Sequence, residues 1–252
     1  MTPFDLNCDL GEGEPRAVTA ALMSCISSAN VACGGHAGTS ESMQWCVRLA
    51  REHGCWLGAH PGLPGDFGRR NTPVTPAELR ELILDQVGSL QSTATDAGVE
   101  LHHIKLHGAL YHAADADPDL AAAYLGLVAQ RWPGVKVYAR AGGTVAARAA
   151  QFDVAVRPEA FLDRSYRADG TLVPRSTAGA LILDPHAIQT RIRELQTAGI
   201  IRAEDGTPLS LSPTTLCVHG DSPESTALVR LAALELGLPR HPGKLSPAPP
   251  AS

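Results

Sequence analysis

The run His102-His103-Ile104-Lys105-Leu106-His107-Gly108-Ala109-Leu110-Tyr111 sets a lysine and histidines at two-residue spacing inside an aliphatic stretch. Side chains alternate along a strand, so His103, Lys105 and His107 share one face while Ile104 and Leu106 take the other. An ammonium on an inward face is costly to desolvate unless it meets an anion or takes part in proton transfer. Lysine occurs only at positions 105, 136 and 244, with arginine as the usual cation, so Lys105 inside a strand stands apart. The pattern recurs along the chain. Asn7 and Asp9 end the first apolar run, His36 follows the second, His60 the third, and Arg140 ends the fifth. Glu159 and Asp163 trail the sixth run, and His219 with Asp221 closes the seventh.

These residues need elements to carry them. Short apolar runs predict strands over 4–8, 29–33, 55–59, 103–106, 136–139, 154–156 and 215–218. Helical patterns fall between them, over 16–24, 41–53, 76–97, 118–131, 144–151, 185–198 and 223–236. Thr75 before Pro76, Asp117 before Pro118, and Ser222 before Pro223 with Glu224 are start signals. Gly54, Gly98, Gly199 and Gly237 stand where helices end in a left-handed residue. Repeated βα units predict a parallel sheet, closed into a barrel or doubly wound. In either case the polar residues gather at the carboxyl ends of the strands, where active sites of such folds assemble.

Two segments interrupt the rhythm. Residues 61–73 form a long loop rich in Gly, Pro and Arg, including Arg69 and Arg70, and 162–184 is longer, with Arg164, Arg167 and the turn Ala168-Asp169-Gly170-Thr171. Loops of that length inside a domain are functional or hold small elements such as a hairpin. Residues 1–239 read as one domain, and 240–252, rich in Pro, Ala and Ser, as a flexible tail.

Composition narrows the class. The chain has 252 residues, 44% hydrophobic and 19% charged, which suits a globular enzyme with a sizeable core. A net charge of -5 offers no basic face for nucleic acid. No apolar run reaches membrane-spanning length and no secretion signal opens the chain, so a cytoplasmic location is expected. The six cysteines lack a Cys-x-x-Cys pair and read as buried thiols; Cys8 points away from Asn7 and Asp9. His102 and His103 open their strand and read as solvated or, for His103, as part of the polar face. His53 sits at a helix C-terminus, where the backbone dipole favours a cation. Phosphate-loop, nucleophile-elbow and H-E-x-x-H motifs are absent, and Ala141-Gly142-Gly143-Thr144 is only a weak anion nest. Asp9, His60 and His107 have ligand types proper to zinc, but that set needs three strands to meet, so no residue is assigned to a metal and a divalent ion is not favoured.

The blocks from Asp5 to Gly13 (DLNCDLGEG) and from Ser27 to Gly38 (SSANVACGGHAG) resemble the LamB/YcsF family, also called the 5-oxoprolinase A subunits. So do Gly58-Ala59-His60-Pro61-Gly62, Phe67-Gly68-Arg69-Arg70, His107-Gly108-Ala109-Leu110-Tyr111, Asp163-Arg164-Ser165-Tyr166 and Val218-His219-Gly220-Asp221-Ser222-Pro223. The resemblance runs in order from about residue 4 to 237. Gly35, Thr39 and Leu106 depart from it, standing where an aromatic, an acidic residue and a proline are usual. It implies a seven-stranded parallel (β/α) barrel similar to carbohydrate deacetylases. It also implies ATP-dependent opening of the lactam 5-oxo-L-proline to L-glutamate, in a complex with two other subunits that handle much of the ATP chemistry. Within that reading Asp9, Lys105, His107 and Glu159 are the catalytic candidates. Asn7, His36, His60, Arg69, Arg70, Arg140, Asp163, Arg164 and His219 are the substrate-binding ones. Two alternatives are a metal-dependent amide or N-acetyl hydrolase acting alone, and a non-catalytic lactam-binding subunit.

Overall fold

In the computed structural model, which describes residues 4–70 and 72–238, seven parallel strands close into a barrel. In chain order the strands are β1 (Asp5–Leu10), β2 (Ser28–Ala32), β3 (Trp56–His60), β4 (Leu101–Lys105), β5 (Lys136–Arg140), β6 (Val156–Phe161) and, after a two-stranded hairpin β7 (Ile201–Arg202) and β8 (Pro208–Leu209), β9 (Thr215–Cys217). β9 sits between β6 and β1 and closes the ring. The expected tail at 240–252 lies outside the described residues.

Around the ring stand α1 (Arg16–Met23), α2 (Ser40–His53), α3 (Pro76–Asp96), α4 (Gly108–Ala116), α5 (Pro118–Arg131), α6 (Thr144–Arg148), α7 (Pro185–Ala198) and α8 (Ser225–Glu235). Thr75 and Asp117 cap α3 and α5 through side-chain oxygens, as expected, and Thr39 caps α2 in a reciprocal box with Ser42. Ser222 caps nothing, because α8 begins only at Ser225. α4 has no counterpart among the helices expected: it opens on Gly108 at φ +51, three residues after β4 ends at Lys105, with no capping side chain to announce it. The 162–184 loop carries two isolated antiparallel bridges, Arg164 with Leu181 and Tyr166 with Leu172. No helix among the described residues is long and apolar enough to cross a membrane.

Register explains what fills the barrel. The outward residues Leu6, Cys8, Leu10, Val31, Leu57, Ile104, Val137, Ala160 and Leu216 are buried in the apolar core. The alternate residues point inward and are largely polar. Asn7 pairs with Ser28 and Cys217, Asp9 with Asn30, His103 with Gly58, Lys105 with Tyr138, and Glu159 with Thr215. Near the amino-terminal ends, Asp5 accepts hydrogen bonds from Ser28 Oγ at 2.7 Å and Thr215 Oγ1 at 2.5 Å. One layer up, Asn30 Nδ2 donates to Asn7 Oδ1 at 2.8 Å, and its Oδ1 lies 2.7 Å from His103 Nε2. Such a lumen persists because its buried polar groups find partners across the ring. Gly58 is needed here, since a Cβ would fall 2.0 Å from His103 Nε2.

Candidate active site

The top layer of the barrel brings Asp9, His60, Lys105 and Glu159 together from four strands. Lys105 Nζ lies 2.9 Å from both Asp9 Oδ1 and Glu159 Oε1, and 3.2 Å from Asn7 Oδ1 and Cys217 Sγ. Tyr111 donates to Glu159 Oε2 at 2.9 Å, which ties α4 to the cluster. Burial alone would lower the Lys105 pKa, but the carboxylate of Asp9, with Cys217 and Glu159, raises it well above the usual lysine range. Burial likewise pushes the Asp9 carboxyl up, and the charges of His60 and Lys105 more than reverse this, holding it well below the usual range. The pair is therefore an ammonium and a carboxylate.

A second group meets it at His60. His60 Nε2 is 3.3 Å from Asp9 Oδ2 and 3.0 Å from His107 Nδ1, while its Nδ1 donates to the Lys105 carbonyl at 2.8 Å. His107 stands two residues beyond β4, just before α4, and its Nε2 donates to the Phe67 carbonyl at 2.9 Å. His36, on the loop after β2, lies flat against His107 with ring centroids 3.6 Å apart and planes within 2°. Glu12, in the turn after β1, reaches His36 Nε2 at 2.8 Å, His107 Nδ1 at 3.3 Å and His60 Nε2 at 3.8 Å through one oxygen. Burial lowers His36 to about 4 and also lowers His107, whereas Asp9 overcomes burial and raises His60. The His107 and His36 rings beside it outweigh burial and hold Glu12 far below the usual carboxylate range.

The remaining expected residues lie around this centre. Asp163 Oδ2 accepts from the His219 backbone amide at 2.8 Å and stands 2.9 Å from its Nδ1; the His219 charge outweighs burial and lowers the Asp163 pKa. Arg164 is buried and donates to the Val173 carbonyl at 2.7 Å. Arg69 pairs with Asp221 at 2.6 Å, where Arg175 joins it at 2.7 Å. Arg70 is exposed. Arg140 pairs with Asp115 at 2.7 Å and donates to the Gly170 carbonyl, apart from the histidine cluster. His103 belongs to the packed layer below, stacked on Tyr138 at 3.9 Å. His102 stacks on Trp56 at 4.4 Å and is not the solvated side chain expected.

Two participants escape the sequence reading. Asn30 lies in a run that reads as apolar, yet Ser28 and Asn30 alternate polar residues through it. Asn30 Nδ2 reaches Asp9 Oδ1 at 2.7 Å. Glu12 reads as turn; an acid between Gly11 and Gly13, two residues beyond a strand end, is the available signal.

The LamB/YcsF family model matches residues 4–238. The chain is 42% identical over 238 residues to the 5-oxoprolinase A subunit of Heliobacterium modesticaldum, covering 92% of this chain and 94% of that one. It is also 42% identical over 233 residues to the 5-oxoprolinase A subunit of Syntrophobacter fumaroxidans, covering 89% and 90%. Among solved structures, the lactam utilization protein from Thermus thermophilus superposes with a TM-score of 0.84 at 36% identity, covering 93% of this chain and 97% of that one.

Proposed function

The chain belongs to the LamB/YcsF family, and from that premise we propose that it is the barrel subunit of an ATP-dependent 5-oxoprolinase that opens 5-oxo-L-proline to L-glutamate. The observation that carries this reading is the ion pair of Lys105 and Asp9, sealed into the carboxyl-terminal mouth of the barrel with His60 on the second Asp9 oxygen. A lactam is a resonance-stabilised amide that resists water. Transfer of the γ-phosphoryl group of ATP to the lactam oxygen releases ADP and makes the ring carbon electrophilic. Water then adds, the carbon–nitrogen bond breaks as the nitrogen takes a proton, and a second water releases phosphate.

The residues supply proton handling and charge stabilisation for such a sequence. Asp9 is the base for the attacking water, Lys105 holds it ionised and aimed, and His60 stands on its second oxygen. His107 borders the same space beneath Phe67. Glu159 anchors Lys105 from below, and its burial keeps it in that positioning role. The sequence has no phosphate loop, so we assign nucleotide binding to partner subunits, whose existence the names of the relatives suggest.

The test is glutamate release from 5-oxoproline, with and without ATP, by the chain alone and with its co-expressed partner subunits. ATP-dependent release by the assembly, lost in Asp9→Asn, is expected. Release without ATP, or an assembly indifferent to Asp9→Asn, would overturn the reading.

A further inference from the structure

We infer that Glu12, His36, His60 and His107 form a binding site for one divalent transition-metal ion of the zinc class. The argument begins with tautomers. A backbone carbonyl only accepts, so His60 Nδ1, 2.8 Å from the Lys105 carbonyl, carries a hydrogen, as does His107 Nε2, 2.9 Å from the Phe67 carbonyl. In neutral rings the other nitrogens, His60 Nε2 and His107 Nδ1, then hold in-plane lone pairs. Those two atoms face each other at 3.0 Å. Two lone pairs at that distance repel unless a cation lies between or beside them.

The carboxylate adds to the demand. Glu12 Oε1 stands 2.8 Å from His36 Nε2, 3.3 Å from His107 Nδ1 and 3.8 Å from His60 Nε2, and the four donor atoms all lie within 4.8 Å of one another. With metal bonds of about 2.0–2.2 Å, tetrahedral donors sit about 3.3–3.6 Å apart, and the contacts of 2.8, 3.0, 3.3 and 3.8 Å among these atoms bracket that range. Imidazole and carboxylate are ligands that suit zinc and its neighbours. Backbone carbonyls behind two of the rings are the outer contacts that fix metal-binding histidines. The parallel stack of His36 on His107 at 3.6 Å disfavours two imidazolium rings and favours neutral ligands.

Charge points the same way. Asp9, Glu12 and Glu159 bring three formal negative charges to the connected network against the permanent positive charge of Lys105, which leaves room for a further cation, a metal or a proton, at the histidines. A neighbouring set of Asp9, Cys217 and His219 also has metal-ligand types, but Lys105 Nζ already occupies it, at 2.9 Å from Asp9 and 3.2 Å from Cys217. The ammonium excludes a second cation there and leaves the histidine–glutamate set as the site. The rival occupant is a proton on His60 Nε2, which would relieve the contact with His107 by a single hydrogen bond.

The test reads binding rather than turnover, so its outcome is separate from that of the lactamase reading. Metal-free, untagged full-length chain is titrated calorimetrically with zinc chloride, and with cobalt(II) for its visible spectrum. Expected are one equivalent per chain, a four-coordinate cobalt spectrum and a rise in melting temperature with zinc. His60→Ala, His107→Ala and the near-isosteric Glu12→Gln should each weaken binding at least a hundredfold, while His186→Ala, an exposed side chain on α7 outside the ligand set, should bind as the parent does. If an alanine variant fails to fold, Glu12→Gln decides the matter by its circular dichroism and its zinc response. No stoichiometric binding, or binding unchanged in Glu12→Gln, would overturn the site and leave a protonated His60 as the cation of the cluster.

Discussion

Lys105 Nζ and Asp9 Oδ1 are 2.9 Å apart in the barrel interior, and neither side chain reaches solvent by more than a few per cent. Each is the other's main reason for staying charged. Removing one partner of a buried pair leaves an uncompensated charge, which typically costs about 3–5 kcal/mol.

Lys105→Met should therefore destabilise the chain by about 3–5 kcal/mol, with Asp9 and Glu159 left facing each other. Urea denaturation followed by circular dichroism would read this as a lower midpoint with an unchanged slope. A loss below about 1 kcal/mol would mean the pair is solvated in solution.

Asp9→Asn keeps the volume and removes the base. Turnover of 5-oxoproline by the assembled complex should fall at least about tenfold, a lower bound for a positioned acid–base group. Substrate binding, measured separately, should change far less. Equal loss in both would assign Asp9 to substrate binding.

Acid should weaken the fold in two stages. Burial holds His36 at about 4 in the native state, below its ordinary 6.5, so the unfolded chain binds the proton first. Stability from this ring is complete above pH 6.5 and is lost as the pH falls towards 4, by up to about 3 kcal/mol. Asp9 and Glu12, both depressed, contribute stability that is lost only below about pH 4, where unfolded carboxylates protonate. His60, raised by Asp9, has the opposite slope, so denaturation of the parent and of His36→Asn at pH 7, 6, 5 and 4 with chelator present should show the steeper fall in the parent; equal slopes would contradict a neutral buried His36.

Gly35→Ala should lower stability by about 1–3 kcal/mol, the usual cost of overpacking. A Cβ there would meet the Gly62 carbonyl at 2.2 Å and Gln86 Nε2 at 2.3 Å. Gln86 occupies the space by bonding Gly62 twice, each at 3.0 Å, and so packs the loop behind His36 without an aromatic at position 35. A thermal melt compared with the parent would check this.

Much of the scaffold was legible because it obeys local rules. β1 and β4 announce themselves by two-residue alternation, with Asp5, Asn7 and Asp9 inward and Leu6, Cys8 and Leu10 outward. α3 and α5 announce themselves by a capping side chain followed by proline. α4 and the β7–β8 hairpin did not, because α4 starts on a left-handed glycine without a cap and each hairpin strand is two residues long. The same limit hid Glu12 and Asn30, whose roles lie wholly in what stands across the ring from them.

By itself, the sequence determined that strands would deliver ionisable side chains at their carboxyl ends, since the identity and face of a residue are set by its own position and period. Only the closed ring decided which of those side chains meet. Arg140 and Arg70, as prominent in sequence as Lys105, are turned to other partners or to solvent. Lys105, Asp9 and His60 converge because barrel closure and strand register bring positions nearly a hundred residues apart within hydrogen-bonding distance, and distance through space is what electrostatic energy depends on.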